Sequence, residues 1–158
     1  MAPRSVFLMR HAEKPDDPED PDLAPAGVER AKHLANWLPS IMGGPPQFIF
    51  AASLSKHSAR PYATVKPLSK AVGVPINASF ADRDHSALAE ALLADPLYAD
   101  AVIVVCWHHE HIPSAARNLK APAGTYPDPW PEGVFNLVLK FDFSMDPAPT
   151  VTQITEDF

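Results

Sequence analysis

Cysteine occurs once in the chain, so no intrachain disulfide can staple it, and Cys106, set against the apolar run 102–105, reads as a buried thiol. Runs of lysine and arginine are missing too. With a formal charge of −6 and no basic face to offset it, non-specific binding to a phosphate backbone is disfavoured and no nucleic-acid partner is expected. The N-terminus lacks an apolar segment long enough for a signal peptide or a membrane span, which predicts a cytoplasmic protein with no membrane partner. No internal repeat is visible.

What remains has the ordinary balance of a soluble globular chain, 46% hydrophobic and 20% charged. Its 158 residues suit one domain, residues 1–158, able to bury most of its apolar surface in one core. The compositional oddity is proline. There are 19, and eight of them crowd into 14–25 and 120–131; both stretches lack periodic apolar residues and read as stiff, extended loops.

The apolar run that follows Arg4 and Ser5 stops at Arg10 and His11. It is too short for a helix and reads as a buried strand of a parallel sheet. From Pro25 the pattern turns helical: Val28, Ala31, Leu34, Ala35 and Leu38 recur at three- and four-residue steps, and Pro39 is expected to end the helix. A second strand is predicted over 48–52, a helix over about 60–72 stopped by Gly73, a short strand over 74–77 and a helix from about Asp84 to Ala94. The strongest strand signal is 101–106, which runs into Trp107, His108, His109, Glu110 and His111. A long strand over 134–143 and an edge strand over 151–155 complete the pattern.

Strands alternating with helices predict an α/β protein, a three-layer α/β/α sandwich with a mostly parallel central sheet and helices on both faces. The ends of parallel strands share one edge, and ligands of open α/β sheets bind there. That edge brings Arg10 and His11, the segment 55–60 and the histidine run together, an arrangement suited to an oxyanion and a nucleophile.

Taken in order, Leu8-Met9-Arg10-His11-Ala12-Glu13-Lys14, then Leu23-Ala24-Pro25-Ala26-Gly27, then Arg60-Pro61-Tyr62-Ala63-Thr64, then a strand entering His108, the chain resembles the histidine phosphatase superfamily, which includes phosphoglycerate mutases and small phosphohistidine phosphatases. The resemblance implies that His11 is the nucleophile, that Arg10 and Arg60 grip the phosphoryl group, and that His108 is the second histidine of the pocket. It implies hydrolysis of a phosphomonoester or a phosphorylated side chain through a phosphohistidine, with inorganic phosphate as product and no cofactor. The residue chemistry agrees. Neutral imidazole is a competent nucleophile, and two planar guanidiniums can bind equatorial oxygens bidentately.

Several assignments stay open in the sequence. A one-residue shift would put His109 in place of His108, since alternate residues of an extended segment face opposite sides. The acid that protonates the leaving group could be Asp82, Asp84 or Glu110, although Asp84 could instead cap the helix it precedes. Ser58 could cap the Arg60 helix or reach the phosphate, and Glu13 reads as an orienting partner of nearby donors. The cluster of His108, His109, Glu110 and His111 could hold a metal, but two arginines nearby would repel a cation, and no metal is expected. Lys14 and Lys56 read as solvated charges. Trp107, Tyr126 and Trp130 could line the pocket mouth or pack together. Other functions that the same residues allow are a catalytically silent phosphate-binding module and a mutase-type phosphotransferase.

Overall fold

The computed structural model describes residues 2–144 and 148–158. Six strands form one sheet: β1 (Ser5–Arg10), β2 (Phe48–Ala51), β3 (Ile76–Asn77), β4 (Val102–Trp107), β5 (Leu137–Asp142) and β6 (Thr150–Thr155), in the spatial order β3-β2-β4-β1-β5-β6. The pairs β1·β4, β2·β4 and β2·β3 are parallel, and β1·β5 and β5·β6 are antiparallel. The predicted sandwich with a mostly parallel sheet is thus the observed one. β1 and β4 lie at its centre, buried on both faces, which is why they read as continuous apolar runs rather than alternating ones.

Helices α1 (Pro25–Met42) and α2 (Arg60–Val72) cover one face of the sheet, and α3 (His85–Ala94) and α4 (Ile112–Asn118) cover the other. Under the first pair, Leu34, Leu38, Val65 and Leu68 pack on Phe7, Met9 and Ile49. Under the second, Leu88, Leu92 and Ile112 pack on Leu8, Phe50 and Ile103. Each such leucine removed from water contributes about 1.5–3 kcal/mol.

Four expectations need correction. Helix α1 does not end at Pro39 but carries it inside and runs to Met42; Gly43, at φ 76°, stops it and returns its N–H to the Pro39 carbonyl. Its buried stripe is Gly27, Ala31, Leu34 and Leu38, whereas Val28 is exposed. Helix α4 was not anticipated, because seven residues directly behind a polar histidine run carry too few turns to show a period. Strand β5 starts at Leu137 rather than Val134, because the Val134 carbonyl is taken by side chains of Arg10 and Trp130 instead of a neighbouring strand.

Candidate active site

Just beyond the carboxyl end of β4, and at the start of α2, lies a cleft of about 500 Å³ lined by Ser53, Ser58, Arg60, Asp82, His108 and Glu110, among others. Arg10 and His11 do not line it; β1 gives way to His11 next to His108, and the His11 amide still bonds to the Trp107 carbonyl of β4 at 3.1 Å. The next amide, of Ala12, donates to Thr64 Oγ1 of α2 at 2.9 Å. His11 is buried, and its Nδ1 lies 2.7 Å from the Ala12 carbonyl oxygen. A carbonyl only accepts, so Nδ1 carries the hydrogen and Nε2 keeps its lone pair. Burial pushes the imidazole down to about 3, assisted by nearby His108, Arg10 and Arg60, so the ring is neutral at ordinary pH.

Arg10 is buried, and its Nη1 donates to the carbonyls of Glu132 and Val134, the latter at 3.1 Å. Its guanidinium carbon sits 3.8 Å from the centre of the Phe135 ring. Nε and Nη2 of Arg10, and Nε of Arg60, are buried without a hydrogen-bond partner among the described residues. Arg60 is held from the other side, donating through Nη1 to the Asp20 carbonyl at 2.7 Å. Unfilled buried N–H groups on two cations are costly unless an anion completes them. Burial lowers Arg10 to about 10 and lowers Arg60 as well, yet both remain charged near neutral pH.

Of the two candidate second histidines, His108 faces His11. Its ring stands edge-on to His11, with centroids 5.3 Å apart at 71°, and it lines the cleft, where His109 does not. Burial lowers His108; among charges, Asp82 pulls it up and Arg60 pushes it down. The three acid candidates separate likewise. Asp82 and Glu110 line the cleft, while Asp84, two residues along the same 3-10 turn, is exposed outside it and makes no side-chain cap to α3. The capping role that the sequence left open for it is therefore not seen. Ser58 is buried, lines the cleft, and accepts the Arg60 amide at 3.2 Å, so the anchoring role and access to the pocket coexist.

Glu13 orients a donor, but one that lies behind the site. It forms a two-point pair with Arg30 of α1, at 2.9 and 3.0 Å, and Arg30 also binds buried Glu156 at 2.8 Å. Burial works against the Glu13 charge, but the Arg30 hydrogen bonds win and lower it. Trp107 and Trp130 are core residues, and Tyr126 packs against that core. The carbonyls of Asp20, Glu132 and Val134 and the Phe135 ring went unforeseen; backbone acceptors leave no signal in a side-chain pattern.

No family model and no curated protein matches the chain. Solved structures do match across nearly its whole length. SixA from Agrobacterium tumefaciens is 21% identical, with 96% of this chain and 97% of that one covered and a TM-score of 0.63. The protein histidine phosphatase SixA complexed with tungstate is 17% identical, with 96% of each chain covered and a TM-score of 0.67. A mutant phosphoserine phosphatase from Entamoeba histolytica, in complex with phosphoserine, is 16% identical, with 94% of each chain covered and a TM-score of 0.62. The chain is thus an α/β sandwich that gathers two arginines and two histidines at the carboxyl end of its parallel strands. Its fold is the one these phosphatases share.

Proposed function

We propose that the chain is a phosphatase that hydrolyses a phosphomonoester or a phosphorylated side chain through a phosphohistidine on His11. The observation that carries this reading is the state of His11: neutral, with Nε2 unprotonated, beside unfilled N–H groups of Arg10 and Arg60. Nε2 attacks phosphorus, and the leaving oxygen departs with a proton from Asp82; water then attacks the phosphohistidine and releases inorganic phosphate. The arginines and His108 face the equatorial oxygens, where charge concentrates in the transition state. Two fixed cations supply there what a metal supplies elsewhere, so the reaction is metal-independent. The tungstate and phosphoserine complexes of structural neighbours support a tetrahedral oxyanion as the ligand class.

The test is a base quench of the chain mixed with 4-nitrophenyl phosphate, phosphoserine or a phosphohistidine peptide. Acid-labile phosphate on His11, with turnover unaffected by EDTA and abolished in His11→Ala, is expected. Turnover that needs an added divalent metal, or wild-type turnover in His11→Ala, overturns the mechanism.

A further inference from the structure

The site described so far leaves a second polar cluster unused. His111, at the entrance to α4, places Nδ1 2.7 Å from Asp82 Oδ2. Its ring stacks on His85 at the start of α3, with centroids 5.3 Å apart at 30°. His85 is itself fixed, because its Nδ1 lies 2.6 Å from Asn118 Oδ1 of α4. The backbone of Asp82 is held as well, its carbonyl accepting Trp107 Nε1 at 2.8 Å. Oδ1, the other carboxyl oxygen of Asp82, is buried with no partner among the described residues.

A carboxyl oxygen that accepts from an N–H has less room for a proton of its own. Resting on the phosphatase reading, we propose that His111 is a positioning residue: its Nδ1–H occupies Asp82 Oδ2 and leaves Oδ1 to carry the proton that the leaving oxygen takes. In the first half-reaction the bond from His11 Nε2 to phosphorus forms and the bond from phosphorus to the leaving oxygen breaks, while the Oδ1 proton passes to that oxygen. In the second, water bonds to phosphorus, the electron pair of the P–N bond returns to Nε2, and the proton of water returns to Oδ1. No proton is gained or lost over the cycle.

Asparagine at 111 offers an N–H near the Nδ1 position, so it keeps the donor to Oδ2 that phenylalanine lacks.

The experiment compares an alkyl phosphate, whose leaving oxygen needs a proton, with 4-nitrophenyl phosphate, whose leaving oxygen does not. In His111→Phe, which keeps a ring against His85 but loses the donor, the rate ratio should shift against the alkyl ester by at least about tenfold. His111→Asn, which keeps an N–H donor, should restore most of it. Asp82→Asn should shift the ratio further, and adding His111→Phe to it should change nothing more, since one acts through the other. If His111→Phe leaves the ratio unchanged, or if its effect adds to that of Asp82→Asn, the positioning role is removed while the phosphatase reading stands. Should the variants be poorly folded, ring-nitrogen NMR of the wild-type chain decides: a neutral His111 protonated on Nε2 rather than Nδ1 refutes the proposal. Absence of both turnover and phosphorylated His11 in the wild type removes the phosphatase reading and this inference together.

Discussion

The hydroxyl of Thr64 accepts the amide proton of Ala12 at 2.9 Å, tying the turn that carries His11 to helix α2. The same hydroxyl donates to the Arg60 carbonyl at 2.7 Å, so one buried side chain sets the spacing between His11 and Arg60. Valine matches its shape and removes both bonds. Thr64→Val should cost about 1–3 kcal/mol in urea unfolding, because the Ala12 amide is left buried without a partner. Turnover should fall by about tenfold, as an ångström-scale misplacement of reacting groups would produce. A stable variant with full turnover would show that the tie is dispensable.

Gly27 faces the same turn from the α1 side. A Cβ placed there would lie 2.5 Å from the Glu13 carbonyl oxygen and 2.9 Å from its amide nitrogen. Backbone cannot yield as a side-chain tip can, so Gly27→Ala should destabilise by about 1–3 kcal/mol although alanine is the better helix former. Thermal unfolding checks the sign: any stabilisation would mean that α1 and the Glu13 turn are not in contact.

The depressed His11 titration makes stability depend on pH. In the unfolded chain the ring takes a proton near pH 6.5, whereas in the folded chain it does so only at about 3. Between these values the unfolded state binds more protons, so stability falls as pH falls through the window and is flat above it. His11→Gln should flatten this slope by a few kcal/mol across the window, measured as Tm against pH in buffers free of oxyanions. Burial lowers His108 and His109 too, so part of the slope should remain. An unchanged slope would place His11 in contact with solvent.

His108→Ala and His109→Ala should differ in rate by at least about tenfold, equivalent to about 1.4 kcal/mol of transition-state stabilisation, with His108→Ala the slower. Only the first removes a ring that stands against His11. Equal effects would mean that facing the cleft does not decide which histidine matters.

Phosphate and vanadate should both raise Tm, since each fills the N–H groups left open on Arg10 and Arg60. Vanadate can become trigonal bipyramidal against His11 Nε2, so an active enzyme should bind it at least about 100-fold more tightly than phosphate. Arg60→Lys should weaken both, because an ammonium lacks the planar fork. Equal inhibition constants, unaffected by Arg60→Lys, would point to simple anion binding elsewhere.

The fold was legible where burial shapes composition. Strands β1 and β4 sit centrally and show as plain apolar runs, and Gly73 marked the end of α2 at φ 72°. Pro39 misled because a proline near a helix end forfeits one internal hydrogen bond but does not prevent the last turn from closing on Gly43. Among the candidate site residues, Arg10 and His11 could be placed at a strand end, while Arg60, and His108 over His109, were singled out only by the resemblance to a family. The choice between Asp82 and Asp84 could not, since it depends on how a 3-10 turn rotates two nearby carboxylates relative to a cleft built by distant segments. The Asp82–His111 bond spans 29 residues and has no local pattern at all.

Both arginines of the cradle are fastened by carbonyl oxygens, of Asp20 for one and of Glu132 and Val134 for the other. Every residue type has a carbonyl, so side chains at 20, 132 and 134 can change while the fastening persists. Inserting or deleting one residue in either proline-rich segment, however, would carry those oxygens away from guanidiniums that cannot follow. What these loops must keep over evolutionary time is their length and path, and their lettering is free to drift.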